Sequence, residues 1–256
     1  GGRASRAALG LAGRMSRVPP GIHPVRGVMG CCFVLVDENR EAVLLDTGLV
    51  GEPRFIRRLV ARLGLEPRAI KAILLTHGHL DHAGNVAWAK AWTGAPVHAH
   101  PLEQAHLNGA YPYTGINRWC GRLERAGRRV FGVGAPVGID VALADGQELP
   151  FWGGLRVVHL PGHTLGHCGF YSDRHDLLFS GDLFASYFFN VHLPPPILNS
   201  APHLIPASLE KARRLNPRLI VPQHYDLLDG GLHRRRFDGL LHKLAERARR
   251  RGRVVI

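Results

Sequence analysis

Several things are scarce in this chain. Four cysteines among 256 residues, two of them adjacent at Cys31 and Cys32, are too few for a disulfide-stapled scaffold. In a strand that adjacent pair points to opposite faces. No stretch of 18 residues is free of charged and polar breaks, which excludes a membrane-spanning helix. No internal repeat or low-complexity tract appears. Lysine is nearly missing: of 33 basic residues only Lys71, Lys90, Lys211 and Lys243 are not arginine. Acid is scarce at both ends. Residues 1–17 hold four arginines and no carboxylate, and residues 233–256 hold nine Lys or Arg against Asp238 and Glu246. These ends carry +4 and +7 of the formal net charge of +13, leaving +2 on the body between them. The basic balance therefore describes the ends, and nucleic acid is not the expected partner. The expectations are a flexible basic segment over 1–20, no secretory leader, no membrane contact and a reducing, cytoplasmic setting.

Other things are plentiful. Hydrophobic residues make up 45% of the chain, enough to bury a large core in one domain over 21–256. There are 16 histidines, and imidazole is the commonest metal-binding side chain.

The apolar runs read as α/β. Cys31–Val36 and Ala42–Asp46 predict a hairpin, Ile70–Leu75 a buried strand, and Pro96–His100 a short one. Leu155–Leu160, Gly169–Tyr171, Leu177–Phe179 and Leu219–Val221 are further strand candidates. Helical spacing runs over 52–63, stopped by Gly64, over 85–92, ended by Gly94, and over 207–215. A basic amphipathic helix is expected over 232–250. The stretch 101–150, with Tyr111, Tyr113, Trp119 and Phe131, is the least regular and reads as an insertion, either a lid or a packing excursion.

The strongest chemical signal is Thr76-His77-Gly78-His79-Leu80-Asp81-His82, between the strand at 70–75 and a helix. It puts four metal-binding side chains into six residues at a strand-to-helix turn. Imidazole and carboxylate together suit zinc, iron or manganese. More candidates follow other apolar strands, in Pro161-Gly162-His163-Thr164, Ser180-Gly181-Asp182 and Gln223-His224-Tyr225. Loops at strand ends are where α/β enzymes collect functional side chains.

This ordered set, with Leu44-Leu45-Asp46-Thr47-Gly48 before it, resembles the metallo-β-lactamase superfamily over about residues 30–225. The resemblance implies an αββα sandwich: two mixed β-sheets back to back, flanked by helices, with metals at one edge. It implies that His77, His79 and His163 hold one divalent ion, that Asp81, His82 and His224 hold a second, and that Asp182 bridges them. Zinc is the favoured ion, with iron or manganese as alternatives. Such a pair shares a water-derived hydroxide, so a nucleophile exists at neutral pH without a serine or cysteine. The similarity thus implies a hydrolase acting on a carboxylic ester, lactone or thioester, of the glyoxalase II and lactonase style. The alternatives are a phosphodiesterase or ribonuclease of the same fold, or a β-lactam-hydrolysing enzyme. Dedicated β-lactamases of the superfamily generally lack the bridging carboxylate that Asp182 would supply.

Catalytic roles are expected for Asp81, orienting the hydroxide, and for Tyr187, by the resemblance to lactone hydrolases that use a tyrosine hydroxyl near the metals. Asp46 reads either as a turn-capping residue or as a support for a ligand. His167 reads as a structural or supporting histidine, His98, His100 and His159 as strand residues, and Cys168 as a packing residue. Phe184, Phe188, Phe189 and Pro194–Pro196 read as an apolar loop beside the site. The expected substrate is a small molecule with an apolar part.

Overall fold

The computed structural model describes residues 18–27, 31–49, 51–113, 117–187 and 189–250. Most of the expected flexible segment at 1–20, and Phe188, lie outside the described residues.

The first sheet holds β1 (Ile22–Arg26), β2 (Cys31–Val36), β3 (Ala42–Leu45), β4 (Ile70–Leu74), β5 (Val97–Ala99) and β6 (Val141–Ala142), side by side in that order. The first three pair antiparallel, and β3 to β6 run parallel. The second sheet is built from β7 (Glu148–Leu149), β8 (Leu155–His159), β9 (Cys168–Ser172), β10 (Leu177–Gly181) and β13 (Leu219–Pro222), in the order β13-β10-β9-β8-β7. A separate hairpin pairs β11 (Ala185–Tyr187) with β12 (Asn190–His192). The helices are α1 (Glu52–Arg62), α2 (Leu80–Ala83), α3 (Val86–Thr93), α4 (Gln104–Leu107), α5 (Arg118–Val130), α6 (Ile205–Leu215) and α7 (Gly230–Arg250).

Period-2 alternation sorts the strands' side chains into three cores. Phe33 and Leu35 of β2 meet Phe170, Phe179 and Val221 between the sheets. Their neighbours Cys32 and Val34 face the other way, onto Ile56 and Val60 of α1 and Ala89 of α3. Leu178 and Ile220 of the second sheet turn outward onto Leu209 and Ala212 of α6 and Phe237 of α7. The result is helix, sheet, sheet, helix. The central strands β2, β3, β9 and β10 are buried along nearly all of their length, as strands covered on both faces must be. Cys31 and Cys32 fall in different cores, and all four cysteines are free.

The described residues of 101–150 are more regular than the sequence pattern suggests. They begin with the helical turns at 101–107 and form the two-faced helix α5, whose Cys120 packs with Tyr111, Tyr113 and Leu80. Their last third supplies β6 and β7, one edge strand to each sheet. Only two residues pair in each of those strands, too few for an alternating pattern to be visible in sequence. Strand β1 was likewise not expected. Among the described residues, no helix is long and apolar enough to cross a membrane.

Phe179 is fully buried between the sheets, with ring centroids 5.6 Å from Phe33 and 5.9 Å from Trp152. Phe179→Ala should lower the unfolding free energy by about 3–5 kcal/mol. Denaturant melts check this, and an unchanged midpoint would contradict the sandwich core.

Candidate metal centre

The loops that follow β3, β4, β8, β10 and β13 meet at one edge of the two sheets. A buried carboxylate organises the meeting. Asp46, in a left-handed backbone conformation at φ 59°, accepts from the Thr76 backbone N–H at 2.8 Å and from Thr76 Oγ1 at 2.9 Å. It also accepts from Gln223 Nε2 at 3.1 Å and faces His82 Nδ1 at 3.0 Å. One side chain thereby ties the loop after β3 to the loops after β4 and β13. Asp46 is a support for a ligand candidate, the second of its two sequence readings.

These bonds also orient the imidazoles. Thr76 Oγ1 gives its proton to Asp46, so its lone pair accepts the Nδ1–H of His77 at 3.0 Å. The Nδ1–H of His82 goes to Asp46, and that of His163 to Asn199 Oδ1 at 2.9 Å. Asn199 donates its own Nδ2 to the Pro194 carbonyl, which fixes the amide with oxygen toward His163. Each ring is thus left with Nε2 directed inward. The Nε2 atoms of His77, His82 and His163, and Oδ1 of Asp182, are buried without a hydrogen-bond partner among the described residues. Buried polar atoms are rarely left so, and several together mark a place built for an ion.

His79 differs. Its Nε2 lies 2.7 Å from the Tyr113 hydroxyl, which in turn donates to Glu124 Oε1. The nitrogen available to an ion is therefore Nδ1.

The structure brings all seven expected ligand residues together. Ligand atoms of His77, His79 and His163 lie within 4.8 Å of one another, as do those of His77, His82 and Asp182, and those of Asp81, His82 and His224. Asp182 stands between the groups: Oδ1 is 3.3 Å from His82 Nε2, and Oδ2 is 3.5 Å from His163 Nε2 and 3.2 Å from His224 Nε2. Asp81 Oδ2 lies 3.4 Å from His224 Nε2 and 3.6 Å from His82 Nε2. The donors are imidazole nitrogen and carboxylate oxygen without thiolate, a set that fits zinc, iron or manganese.

The protonation preferences split along the same line. Burial, and then the neighbouring imidazoles His82 and His79, hold the pKa of His77 well below its ordinary value. Burial pushes His82 and His224 the same way, but the carboxylates of Asp182 and Asp81 outweigh it. His82 is raised well above the ordinary value, and His224 to about 12. Burial raises the Asp182 carboxyl, and His224 and His82 more than reverse this, leaving it well below the usual range. Two carboxylates at this edge thus demand positive charge, while the three-histidine group offers neutral nitrogens.

Further residues hold the frame. His167 donates Nδ1–H to the Leu160 carbonyl and accepts the Asp182 backbone N–H on Nε2, at 2.9 Å each. Burial pushes its pKa down to about 3, so it stays in that tautomer and supports Asp182. Gly181 just before has φ 54°, and a Cβ there would sit 2.3 Å from His167 Nε2. Cys168 packs between the sheets. His98 bonds the Pro96 carbonyl, and His100 stacks on His159 with centroids 4.4 Å apart, away from the cluster.

Sequence reading missed Glu103, Tyr113, Glu124 and Asn199. Glu103 is fully buried and accepts the backbone N–H of Gly78 at 2.7 Å and of Gly166 at 2.8 Å. It clamps the loop after β4 to the loop after β8. Gly78 must be glycine for this approach, because a Cβ there would lie 2.4 Å from His106 Cβ. The first three all lie in the irregular stretch, where no spacing marks them; only the aromatic Tyr113 had been noticed.

Other expectations fall elsewhere. Tyr187 is 39% exposed on β11 and stacks on His192; among the described residues, no hydrogen bond joins its hydroxyl to the cluster. Tyr225 is buried, with its hydroxyl 3.3 Å from Cys31 Sγ. Phe184 does not line a loop: it is buried against Phe237, centroids 5.1 Å apart, because β10's end turns it under α7. Phe189 is exposed.

Comparison with known proteins agrees with this geometry. The family model of the metallo-β-lactamase superfamily matches residues 26–224, and the chain belongs to that superfamily. It is 31% identical over 169 residues to the hydroxyacylglutathione hydrolase GloC of Haemophilus influenzae, covering 63% of this chain and 70% of that protein. The crystal structure of TTHA1623 in a di-iron-bound form superposes with a TM-score of 0.63 at 30% identity, over 83% of this chain and 97% of that one. A class B3 di-zinc metallo-β-lactamase from an Alaskan soil metagenome, LRA-12, shares the fold with a TM-score of 0.65 at 19% identity, over 92% of each chain. The chain is a metallohydrolase of this superfamily, with a site of the dinuclear kind.

Glu103 meets two N–H donors with two oxygens, which an amide cannot do. Glu103→Gln should weaken retention of divalent metal about 10- to 100-fold. Chelator competition measures this, and wild-type retention in the variant would contradict the clamp.

Proposed function

We propose that this chain is a thioester hydrolase whose reaction is carried by two divalent ions. His77, His79 through Nδ1, and His163 would hold the first, Asp81, His82 and His224 would hold the second, and Asp182, between the two groups, would serve both. The observation that carries this reading is the convergence of partnerless buried Nε2 atoms around the Asp182 carboxylate. Zinc is the proposed ion, and the same donors accept iron or manganese. When bound, the ion pair brings the pKa of a shared water toward neutrality and polarises an acyl oxygen.

The chain's own residues do the rest. Asp81 is the most open of the carboxylates, 22% exposed by side chain, so it meets both the ligand shell and the entering water. Its carboxylate accepts a hydrogen bond from that water and sets the direction of attack on the acyl carbon. Thr76 and Asn199 keep His77 and His163 in one tautomer, so no proton competes for their inward nitrogens, while Asp46 fixes the ring of His82. The sulfur leaving group is a thiol, which departs as thiolate more readily than an alkoxide and asks less of a general acid. The similarity to a hydroxyacylglutathione hydrolase supports thioester over lactone. The exposed side chains of Ile197 and Leu198 support an acyl group with an apolar part. Tyr187 is proposed only as a wall of the substrate path. A nucleic-acid substrate is not proposed, since Arg234 and Arg236 of α7 are engaged by Asp238, Asp226 and backbone carbonyls.

Side-by-side turnover of an S-acyl thioester, an acyl-homoserine lactone and a bis-aryl phosphodiester tests the reading. Thioester cleavage should lead, and His163→Ala or Asp81→Ala should lower it by about 10³-fold or more while circular dichroism is retained. Preferred cleavage of the phosphodiester, or normal turnover in either variant, would overturn it.

A further inference from the structure

Beside the metal centre, α5 forms one wall of an open cavity of about 790 Å³ that the reaction chemistry does not use. Its lining includes Arg118, Arg122 and Arg125, with Trp119 and Tyr113. The spacing of the arginines, four and then three residues, puts them on one face of the helix. All three are exposed, and no carboxylate is among the described lining residues. The acid of α5, Glu124, is turned inward onto Tyr113.

Trp119 is 62% exposed, and the Arg122 guanidinium lies 4.7 Å above its ring. An exposed tryptophan under a guanidinium offers an apolar face and a planar charged fork side by side. Arg125 is anchored by donating to the Ala110 carbonyl at 3.0 Å.

Two connections join this cavity to the centre. Tyr113, in its wall, sits 2.7 Å from His79 Nε2. Asn117, just before α5, donates to the carbonyls of Pro196 and Asn199 at 3.1 Å each, and Asn199 holds His163. The start of α5 is therefore tied to the loop carrying Ile197 and Leu198. The basic wall and the apolar loop are thus each one residue removed from the ligand set, through Tyr113 on His79 and through Asn199 on His163.

We propose that the face of α5 bearing Arg118, Arg122 and Arg125 is the binding site for the thiol carrier of the substrate, and that this carrier is anionic. The inference rests on the thioester reading and names its substrate class: an acyl thioester whose thiol half bears carboxylates or phosphates. Guanidinium forks grip either anion in a bidentate manner, whereas an uncharged thiol gains nothing from them.

The test compares kcat/KM for one acyl group carried by glutathione, by coenzyme A and by N-acetylcysteamine. These represent a carboxylate carrier, a phosphate carrier and an uncharged one. At least one anionic carrier should be preferred by about tenfold or more, and the preference should shrink as salt rises. Arg118→Glu and Arg122→Glu should each cut it about tenfold. Arg58→Glu, at an exposed position of α1, makes the same change of net charge away from the cavity and should preserve the preference. Whether glutathione or coenzyme A is favoured identifies the anion. Equal use of all three carriers, or a preference untouched by the α5 variants, would overturn the proposal. Calorimetric binding of the unhydrolysable S-methyl carriers to the holoenzyme separates the two readings. A charge-dependent affinity weakened by Arg122→Glu, without thioester turnover, would keep the site and discard the reaction; no difference in binding between wild type and Arg122→Glu would discard the site.

Discussion

The centre depends on one constraint: four of the five imidazoles that face it have their other nitrogen tied to a fixed oxygen. Asp46 ties His82, Thr76 ties His77, Asn199 ties His163 and Tyr113 ties His79. A neutral imidazole carries one proton. At His77 and His163, where burial keeps the ring neutral, that proton goes to the outer oxygen, and the inner nitrogen is a lone pair that no donor among the described residues meets. Such a nitrogen in a buried place is costly unless an ion meets it. The frame is arranged around that need. The sheets exist in this account as a platform that brings five strand ends to one edge and lets a handful of buried oxygens fix the rings.

Two buried carboxylates do most of the fixing, and neither belongs to the inner set. Asp46 joins the loops after β3, β4 and β13, while Glu103 joins those after β4 and β8. Both satisfy their oxygens mainly with N–H and hydroxyl donors, which a carboxylate accepts strongly at short distance. Burial raises the pKa of Glu103, and the Thr164 side chain and the two N–H donors offset only part of the rise. The inner carboxylates Asp81 and Asp182 draw protons onto His82 and His224 instead. The outer acids therefore support shape, and the inner acids create a demand for positive charge. A divalent cation meets that demand more completely than two imidazolium groups, since it also takes the orphaned nitrogens.

Much of this was legible in the sequence, for definite reasons. The run at 76–82 packs its donors into one turn, and His163, Asp182 and His224 each follow a short apolar strand. Both features are local, so a linear reading sees them. The helix stops at Gly64 and Gly94 were legible because left-handed caps favour glycine. What stayed hidden depends on long-range contact. Glu103 reaches Gly166 across 63 positions, and nothing near it in sequence announces that. The edge strands β6 and β7 are two residues long, and α5 is rich in arginine and glycine, which blunts its helical pattern. Phe184 was misread because a run of aromatics looks like a loop lining, whereas α7 folds back and buries it. The composition misled only at first: the +13 charge belongs mainly to the ends, and the surplus of histidine carried the chemistry.

The central claim concerns occupancy of the inner set, so the most direct measurement is elemental analysis of the purified protein. The account predicts two divalent ions per chain, falling to one or none when the bridging carboxylate is changed in Asp182→Ala. A single iron per chain together with oxygen consumption, or a metal content that Asp182→Ala leaves unchanged, would contradict it.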